Sequence, residues 1–403
     1  MNSFDVVVVG GGPAGGHCAR LLAKAGWRVL LVERHESFAK NIFSSAGTPL
    51  ETLPKFGLPE TVVGSFWHQL AIVTTNKHGV WSSDRPLGAV LDFAKLRDFL
   101  AEDAIAFGAQ VWMGCRYVKH TSTDAEVLVE LQFKSQTEKI TVRTKVLVDA
   151  TGPARAVIQP KSADRPDLIS GTGIEYLIEV SDRDYAANAE TLTFFLGYKW
   201  MPKGYSWIFP MSKNQLKVGA GILNLASDNI KKPQPLKYYI ELIIKEYIQT
   251  QDYRLVDVHG STLKYSRGLQ DIYYQENVIA IGDAVSTVNF LGGEGIRHAL
   301  HGTEIAGDYI NQYLHQKITD FRGYRQAMYK TFYHTWKVSE TLGIKKYLQD
   351  SDAAIDRTID YLNLLTAQDL VAILFYYQFG KLSKVFWARL WLKWQSFWHR
   401  SRD

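Results

Sequence analysis

Three glycine turns and one strand of alternating aromatics hold the residue types that could do chemistry in this 403-residue chain. The first turn is Gly10-Gly11-Gly12-Pro13-Ala14-Gly15. It follows an apolar, mostly β-branched run at residues 4–9 and precedes an apolar stretch at 18–23. A second apolar run, 28–32, ends in Glu33. Strand, GxGxxG, helix, strand, acid is the order that a dinucleotide site requires. Gly10 permits the tight turn, Gly12 lets a pyrophosphate approach the backbone, and Gly15 lets the helix pack against the strand. Pro13 and Ala14 open a helix whose N-terminal N–H groups and dipole favour phosphate. Glu33, with Arg34 beside it, is placed for ribose hydroxyls, so the site suits FAD or NAD rather than NADP. The small residues 44–49, with Ala46 and Gly47 among them, would let a loop lie against a flat ligand or simply form a surface turn.

The elements that must position these residues follow from periodicity. Residues 145–149 and 277–281 are further buried strands running into Asp149-Ala150-Thr151-Gly152 and Gly282-Asp283-Ala284. A third glycine run, Gly292-Gly293-Glu294-Gly295, precedes a helix beginning at Ile296. Three pieces of parallel sheet therefore lie far apart in sequence, and a β-rich stretch of about 170–265 interrupts them. Asp92 opens an amphipathic helix with Phe93, Leu96, Phe99, Leu100, Ala104 and Ile105 on one face, closed by Gly108. Residues 70–74 and 80–81 read as a hairpin or as two strands of a second sheet. Residues 110–113 and 116–118 read as a strand pair with Gly114 as a bulge, and 235–250 as a helix with Pro235 in its first turn. From about 321 onward the chain is helical. The predicted class is α/β: a Rossmann-like FAD-binding domain (1–70, 88–165, 270–320), an inserted antiparallel β-sheet substrate domain (71–87, 166–269) and a C-terminal helical segment (321–403).

Composition narrows the function. Hydrophobic residues make up 46% and charged residues 22%, as expected of a folded globular chain, and a net charge of +5 does not suggest nucleic acid. Two cysteines, Cys18 and Cys115, exclude a disulfide framework and read as buried thiols. With no signal peptide ahead of the first strand and no membrane-length apolar run, the expectation is a cytoplasmic protein.

Asp149-Ala150-Thr151-Gly152 and Gly282-Asp283-Ala284 resemble the second and third FAD motifs of p-hydroxybenzoate-hydroxylase-fold flavoproteins. Pro202-Lys203-Gly204-Tyr205-Ser206-Trp207-Ile208-Phe209-Pro210 is similar to the PxxYxWxFP signature of the geranylgeranyl reductase family, and Gly293-Glu294-Gly295-Ile296 to its GEGI turn. The resemblance spans residues 4 to about 310. It implies FAD held by the first turn, Glu33, Arg34, Ala46, Gly47, Val118 and Gly152. Asp283 would meet the ribityl chain, or else serve as an N-cap acid. The N–H groups of Gly292, Gly293, Gly295 and Ile296 would meet the flavin ring, with the helix dipole favouring the anionic reduced state. It also implies an isoprenoid substrate whose double bonds are reduced by hydride transfer. Tyr205, Trp207 and Phe209 alternate on a strand and so share a face. They are read as a flat apolar pocket wall, with core packing as the competing role. Tyr205 and Trp207 are the catalytic candidates, Tyr205 or an ordered water being the proton donor.

The chain departs from the family in places. Ser44-Ser45-Ala46-Gly47 stands where many members have Cys-Gly-Gly, and Phe93 stands where an Arg is usual. Arg97, one helical turn on, reaches either the pyrophosphate or a surface acid. NADPH or a ferredoxin would supply electrons, since there is no second GxGxxG. Two rivals remain: a flavin monooxygenase or halogenase on the same fold, and a non-enzymatic prenyl carrier. At the C-terminus, Trp387, Leu390, Trp391, Trp394 and Trp398 form a helical stripe, with Arg389, Lys393, Ser396 and Arg400 opposite. That pattern suits an interfacial helix on an anionic membrane, or docking onto protein.

Overall fold

The computed structural model describes residues 2–40, 44–123, 126–159, 168–225 and 233–384. The Trp-rich stripe of the C-terminus lies outside the described residues. Among those described, three sheets of eight, seven and three strands organise the chain.

The eight-stranded sheet contains the strands Val278–Ala280, Ile140–Asp149, Ser3–Val9, Val29–Val32 and Gln110–Trp112, adjacent in that order and parallel. Ser3–Val9 is buried along its length after Ser3. This explains its unbroken apolar run, since a central parallel strand has a core on both faces. The register fixes the site. Val9 pairs with Asp149 on one side and Val32 on the other, and Asp149 pairs with Ala280. Gly10, Glu33, Ala150 and Ile281 therefore leave the sheet side by side at its carboxyl edge, where open α/β sheets bind ligands.

Gln110–Trp112 does not pair with the strand that follows it. It joins Val29–Val32, and Cys115–Ser122 pairs antiparallel with Val127–Phe133. Gly114, at φ +65°, turns the chain between the two and is not a bulge. Both cysteines are buried.

Asp92 caps the helix Phe93–Ala106 by accepting from the Lys95 N–H. The helix is rotated from the expected face: it buries Leu96, Arg97, Leu100, Ala101 and Ala104 and leaves Ile105 52% exposed. The cause is the first helix, Pro13–Lys24. A Cβ on Gly16 would sit 2.9 Å from that of Leu100, so the two helices meet closely along this line and Arg97 turns toward the sheet edge.

The seven-stranded sheet runs Arg254–Ser266, Leu168–Glu179, Gln215–Leu223, Met201–Pro210, Thr191–Gly197, Gln69–Val73 and His78–Ser82. The hairpin of the last two joins through a parallel pairing of Gln69–Val73 with Thr191–Gly197. The helix expected over 235–250 is an α-helix only from Leu236 to Ile243. A π-turn carries it to Ile248, Pro235 is its N-cap, and Gln249 closes it at φ +59°. The helices Arg322–Ile344, Asp352–Leu362 and Ala367–Leu374 follow. Asp356 ties this region to the hairpin by accepting from Thr74 Oγ1 (2.5 Å) and Asn76 Nδ2 (2.7 Å).

Candidate functional site

A cavity of about 580 Å³ opens at the carboxyl edge of the parallel sheet and runs to the face of the seven-stranded sheet. All the predicted site residues line it except Gly15 and Val118. Gly15 acts behind the turn, where a Cβ would come within 1.9 Å of the Gly10 carbonyl oxygen. Val118 is the extra residue of a β-bulge, between Tyr117 and Lys119 opposite Leu131 and Glu130, and the cavity takes Cys115, Arg116 and Tyr117 instead.

The dinucleotide end is built as the glycines require. Gly10 sits at φ +106°, and a Cβ there would strike the Ala150 carbonyl at 2.4 Å. Around Gly12 a Cβ would meet nothing within 4 Å, so this backbone faces open space at the start of the first helix. Glu33 is buried and accepts from the N–H groups of Gly11 (2.8 Å) and His35 (2.9 Å). Arg97 is no surface residue. Its Nε donates to the Gly11 carbonyl at 3.0 Å, its guanidinium lies 3.6 Å from Glu33 and stacks 4.7 Å from the Phe38 ring centroid. It thus holds the glycine turn and the ribose acid together beside the phosphate position.

A buried ion pair locks the Asp149–Gly152 turn to the Gly282–Ala284 turn. Arg155, fully buried, follows the turn Gly152–Ala154. It donates to Asp271 (2.8 Å), to the Ala284 carbonyl (3.0 Å) and to Ser286 Oγ (3.0 Å). Asp283 faces the cavity and accepts from Thr287 Oγ1 at 3.1 Å. Burial pushes its pKa up, against the pull of Thr287 and Arg155.

The third turn is corrected in part. The N–H groups of Gly292 and Gly293 are already bonded to Asn289, at 3.3 Å to its side-chain oxygen and 2.9 Å to its carbonyl. The donors left for a ligand are those that begin the helix Ile296–Leu314, for which Gly295 is the N-cap. The Tyr205 hydroxyl donates to the Gly292 carbonyl at 3.0 Å, and burial pushes its pKa up to about 12. Its proton is committed to bracing this turn.

Tyr205, Trp207 and Phe209 line the cavity, with Phe194 packed against Tyr205 and Phe209, and Trp207 and Phe209 are also part of a buried apolar cluster. Behind them is a polar cluster that sequence reading missed. The strand register aligns His259, Glu175, Gly219 and Trp207 in one row across four strands. Trp207 Nε1 donates to Glu175 Oε2 at 2.7 Å, and His259 Nε2 lies 3.2 Å from Glu175 Oε1. His259 Nδ1 lies 3.0 Å from Asp257. Ser45 lines the cavity. Lys217 is buried nearby and donates to the carbonyls of Ser44 (3.0 Å), Ser45 (3.3 Å) and Leu91 (3.4 Å). Burial opposes the charge on Glu175, but the His259 hydrogen bond and Lys217 outweigh it and hold its pKa down. Burial likewise opposes charge on His259, and Glu175 and Asp257 reverse it, so that its pKa is raised.

A second cavity of about 120 Å³ shares Tyr205, Trp207, Leu263, Val288 and Gly293 with the first and is walled by Gly171, Gly173 and Gly221. The C-terminal helices close both: Phe375 lines the larger and Tyr347 the smaller. Among the described residues no group of three or more His, Cys, Asp or Glu is placed to hold a metal.

The sequence family described as FAD binding domain matches residues 3–304. A digeranylgeranylglycerophospholipid reductase from Haloferax volcanii is 29% identical over 391 residues, covering 92% of each chain. One of the same name from Thermoplasma volcanium is 25% identical, covering 93% of this chain and 96% of that one. The crystal structure of a geranylgeranyl bacteriochlorophyll reductase-like protein from Thermoplasma acidophilum superposes with a TM-score of 0.82 at 19% identity, over 96% of this chain and all of that one. A p-nitrophenol 4-monooxygenase from Pseudomonas putida gives 0.71 at 16% identity, over 95% of this chain and 99% of that one.

Proposed function

The chain belongs to the FAD binding domain family, and from that premise we infer that it is an FAD-dependent oxidoreductase that reduces carbon–carbon double bonds in a geranylgeranyl-type lipid. The residues fit the cofactor. Gly12 leaves open space where a pyrophosphate would lie, and Gly152 does the same beside it. Glu33 and Arg97 are buried with their polar ends at the ribose and phosphate positions, and Asp283 lies on the strand edge between the turns.

Bound FAD, once reduced, supplies the hydride for an alkene carbon. The chain's own residues do the rest. The first-turn N–H groups and helix dipole hold phosphate. Tyr205 fixes the Gly292–Gly295 turn through the Gly292 carbonyl, and the start of the following helix offers N–H groups and a positive dipole end to an anionic ring. Phe194, Trp207 and Phe209 present flat apolar surface that excludes water and orients a chain with no polar group to grip.

The observation that carries this reading is that one cavity contains both the dinucleotide turns and an aromatic wall opening onto a second, apolar cavity. The relatives' names support a geranylgeranyl-lipid substrate; the structural likenesses, at 19% identity and below, carry the fold alone. Electrons reach the flavin from NADPH bound transiently or from a ferredoxin. The Trp-striped tail, with its basic opposite face, would seat the protein on the membrane holding the lipid. Among the described residues no helix is long and apolar enough to cross one.

The test is to purify the protein, record its visible spectrum, and incubate the chemically reduced enzyme anaerobically with digeranylgeranylglycerophospholipid. Yellow protein and a product gaining two hydrogens per double bond are expected. Colourless protein that takes up no FAD would refute the reading. Oxygen-dependent hydroxylation or halogenation would replace it with the monooxygenase alternative.

A further inference from the structure

Trp207 lines both cavities, yet the acid that holds its indole lines neither. We propose that Glu175 is a positioning residue for the lipid: by gripping the Trp207 N–H it fixes where the indole stands between the cavities, and so how far an apolar chain runs from one into the other. The inference rests on the reduction proposed above.

The sheet gives the indole room but no side-chain stop. Trp207 stands in one cross-strand row with Gly219, Glu175 and His259. Tyr205 stands in the next row with Gly221, Gly173 and Ser261. A Cβ at Gly219 would lie 2.2 Å from the indole, and one at Gly221 would lie 3.5 Å from it, so the ring rests over bare backbone. Gly173 and Gly221 wall the smaller cavity, which therefore takes the space that side chains of the second row would fill. Tyr205, 5.6 Å from Trp207 between ring centroids, is braced separately on the Gly292 carbonyl. Each of these two rings is thus held by one polar bond at its edge.

The bond that holds Trp207 is directional. An indole has a single N–H to donate and no acceptor, and Trp207 gives it to Glu175 Oε2 at 2.7 Å. Glu175 is fully buried. Its other oxygen lies 3.2 Å from His259 Nε2, and His259 Nδ1 lies 3.0 Å from Asp257, whose side chain is 42% exposed. A neutral imidazole donates from one nitrogen only, so a ring with a carboxylate at each nitrogen is the charged form. That charge answers the one on Glu175, where a bare carboxylate would cost several kcal/mol. Lys217, the other cation acting on Glu175, donates to the carbonyls of Ser44, Ser45 and Leu91. The strands on either side of Glu175 are already joined by their own ladders, so its side chain is not needed to join them. What it adds is the placement of one ring on the cavity wall.

The test uses the full-length FAD-loaded enzyme with Glu175→Gln, Glu175→Met and Trp207→Phe. Proton–nitrogen NMR of the oxidised proteins reads the bond itself, the Trp207 indole signal being assigned by its loss in Trp207→Phe. That signal should exchange slowly with solvent in the wild type. It should stay close to its position in Glu175→Gln, whose amide oxygen still accepts, and move in Glu175→Met. In anaerobic single turnovers with digeranylgeranylglycerophospholipid vesicles at saturation, dithionite-reduced Glu175→Met should be reoxidised about 10- to 100-fold more slowly than the wild type. Glu175→Gln should recover most of that loss. The position of the double bond reduced first should change alike in Glu175→Met and Trp207→Phe, and combining the two should add nothing further.

A purely structural Glu175 would lower the melting temperature and leave the product unchanged. Wild-type bond preference in Glu175→Met, a Glu175→Gln as slow as Glu175→Met, or rate losses that multiply in the double variant would overturn the proposal. Should Glu175→Met fail to fold, Trp207→Phe decides: reduction with the wild-type bond preference would overturn it. A wild-type enzyme that the lipid cannot reoxidise would instead sink the reduction itself, whereas turnover with indifferent variants would sink only the positioning role.

Discussion

The indole of Trp207 crosses the neighbouring strand at Gly219 and donates its Nε1 to Glu175 on the strand beyond, at 2.7 Å. A Cβ on Gly219 would lie 2.2 Å from the indole ring, so the contact exists only because that position has no side chain. Gly219→Ala should displace the ring and destabilise the fold by about 1–3 kcal/mol, the cost of overpacking a filled core. Thermal melting will measure it. Trp207→Phe should keep the apolar wall but leave Glu175 short of a donor, at a cost of about 1–3 kcal/mol.

Two glycines of the first turn should separate binding from folding. Gly12 faces open cavity at φ −73°, so Gly12→Val should melt as the wild type does and purify without flavin. Gly15→Ala drives a Cβ into the Gly10 carbonyl at 1.9 Å and should lower the melting temperature as well. Melting curves read beside flavin absorbance will distinguish the two outcomes.

The His259–Glu175 pair sets a pH window for stability. His259 has its pKa raised, so its contribution is complete below its ordinary 6.5 and lost as pH climbs through the raised value. Glu175 has its pKa lowered, so its contribution is complete above its ordinary 4.5 and lost as pH falls through the depressed value. The pair should stabilise most between those ordinary values. His259→Gln should flatten the alkaline decline in melting temperature, and a variant declining in parallel with wild type would refute the assignment.

Removing one member of the Arg155–Asp271 pair leaves a charge buried without its partner. Arg155→Met should cost about 3–5 kcal/mol and weaken flavin retention, because Arg155 also holds Ala284 and Ser286 beside the second turn. Arg155→Met with Asp271→Leu should recover most of the stability. Denaturant titration of the three proteins provides the comparison.

Truncation after Lys384 removes the Trp and basic stripe. The shortened protein should keep its flavin and lose cosedimentation with anionic vesicles, most clearly at low salt. Undiminished vesicle binding would assign the stripe to protein docking.

Much of the dinucleotide end was legible because each glycine there answers a backbone demand that shows directly in spacing. The aromatic wall was legible because strand alternation is a local pattern. The Trp207–Glu175–His259 cluster was harder to read, since its members come from three distant segments and meet only through sheet register. It left one local trace: Glu175 and Lys217 are buried charges flanked by apolar neighbours, Ile174 and Tyr176 on one strand and Leu216 and Val218 on the other. Arg97 was placed on the correct helix but with its exposure undecided, because the helix rotation depends on Gly16 meeting Leu100. The roles of Tyr347 and Phe375 left no trace, since they reach the site by long-range packing of the C-terminal helices.

The pairing of Val9 with Asp149 and of Asp149 with Ala280 has a consequence for how the protein is made. An emerging nascent chain has its phosphate-gripping turn within the first few residues synthesised. The strand completing the same edge arrives only after more than half of the polypeptide has left the ribosome. Such distant pairings are slow to form, and until they do the opening segment has an unsatisfied strand border and greasy surface. Flavin capture during biosynthesis should therefore report completion of the whole architecture, and an N-terminal fragment carrying an intact GxGxxG should come out of the cell colourless and prone to aggregate.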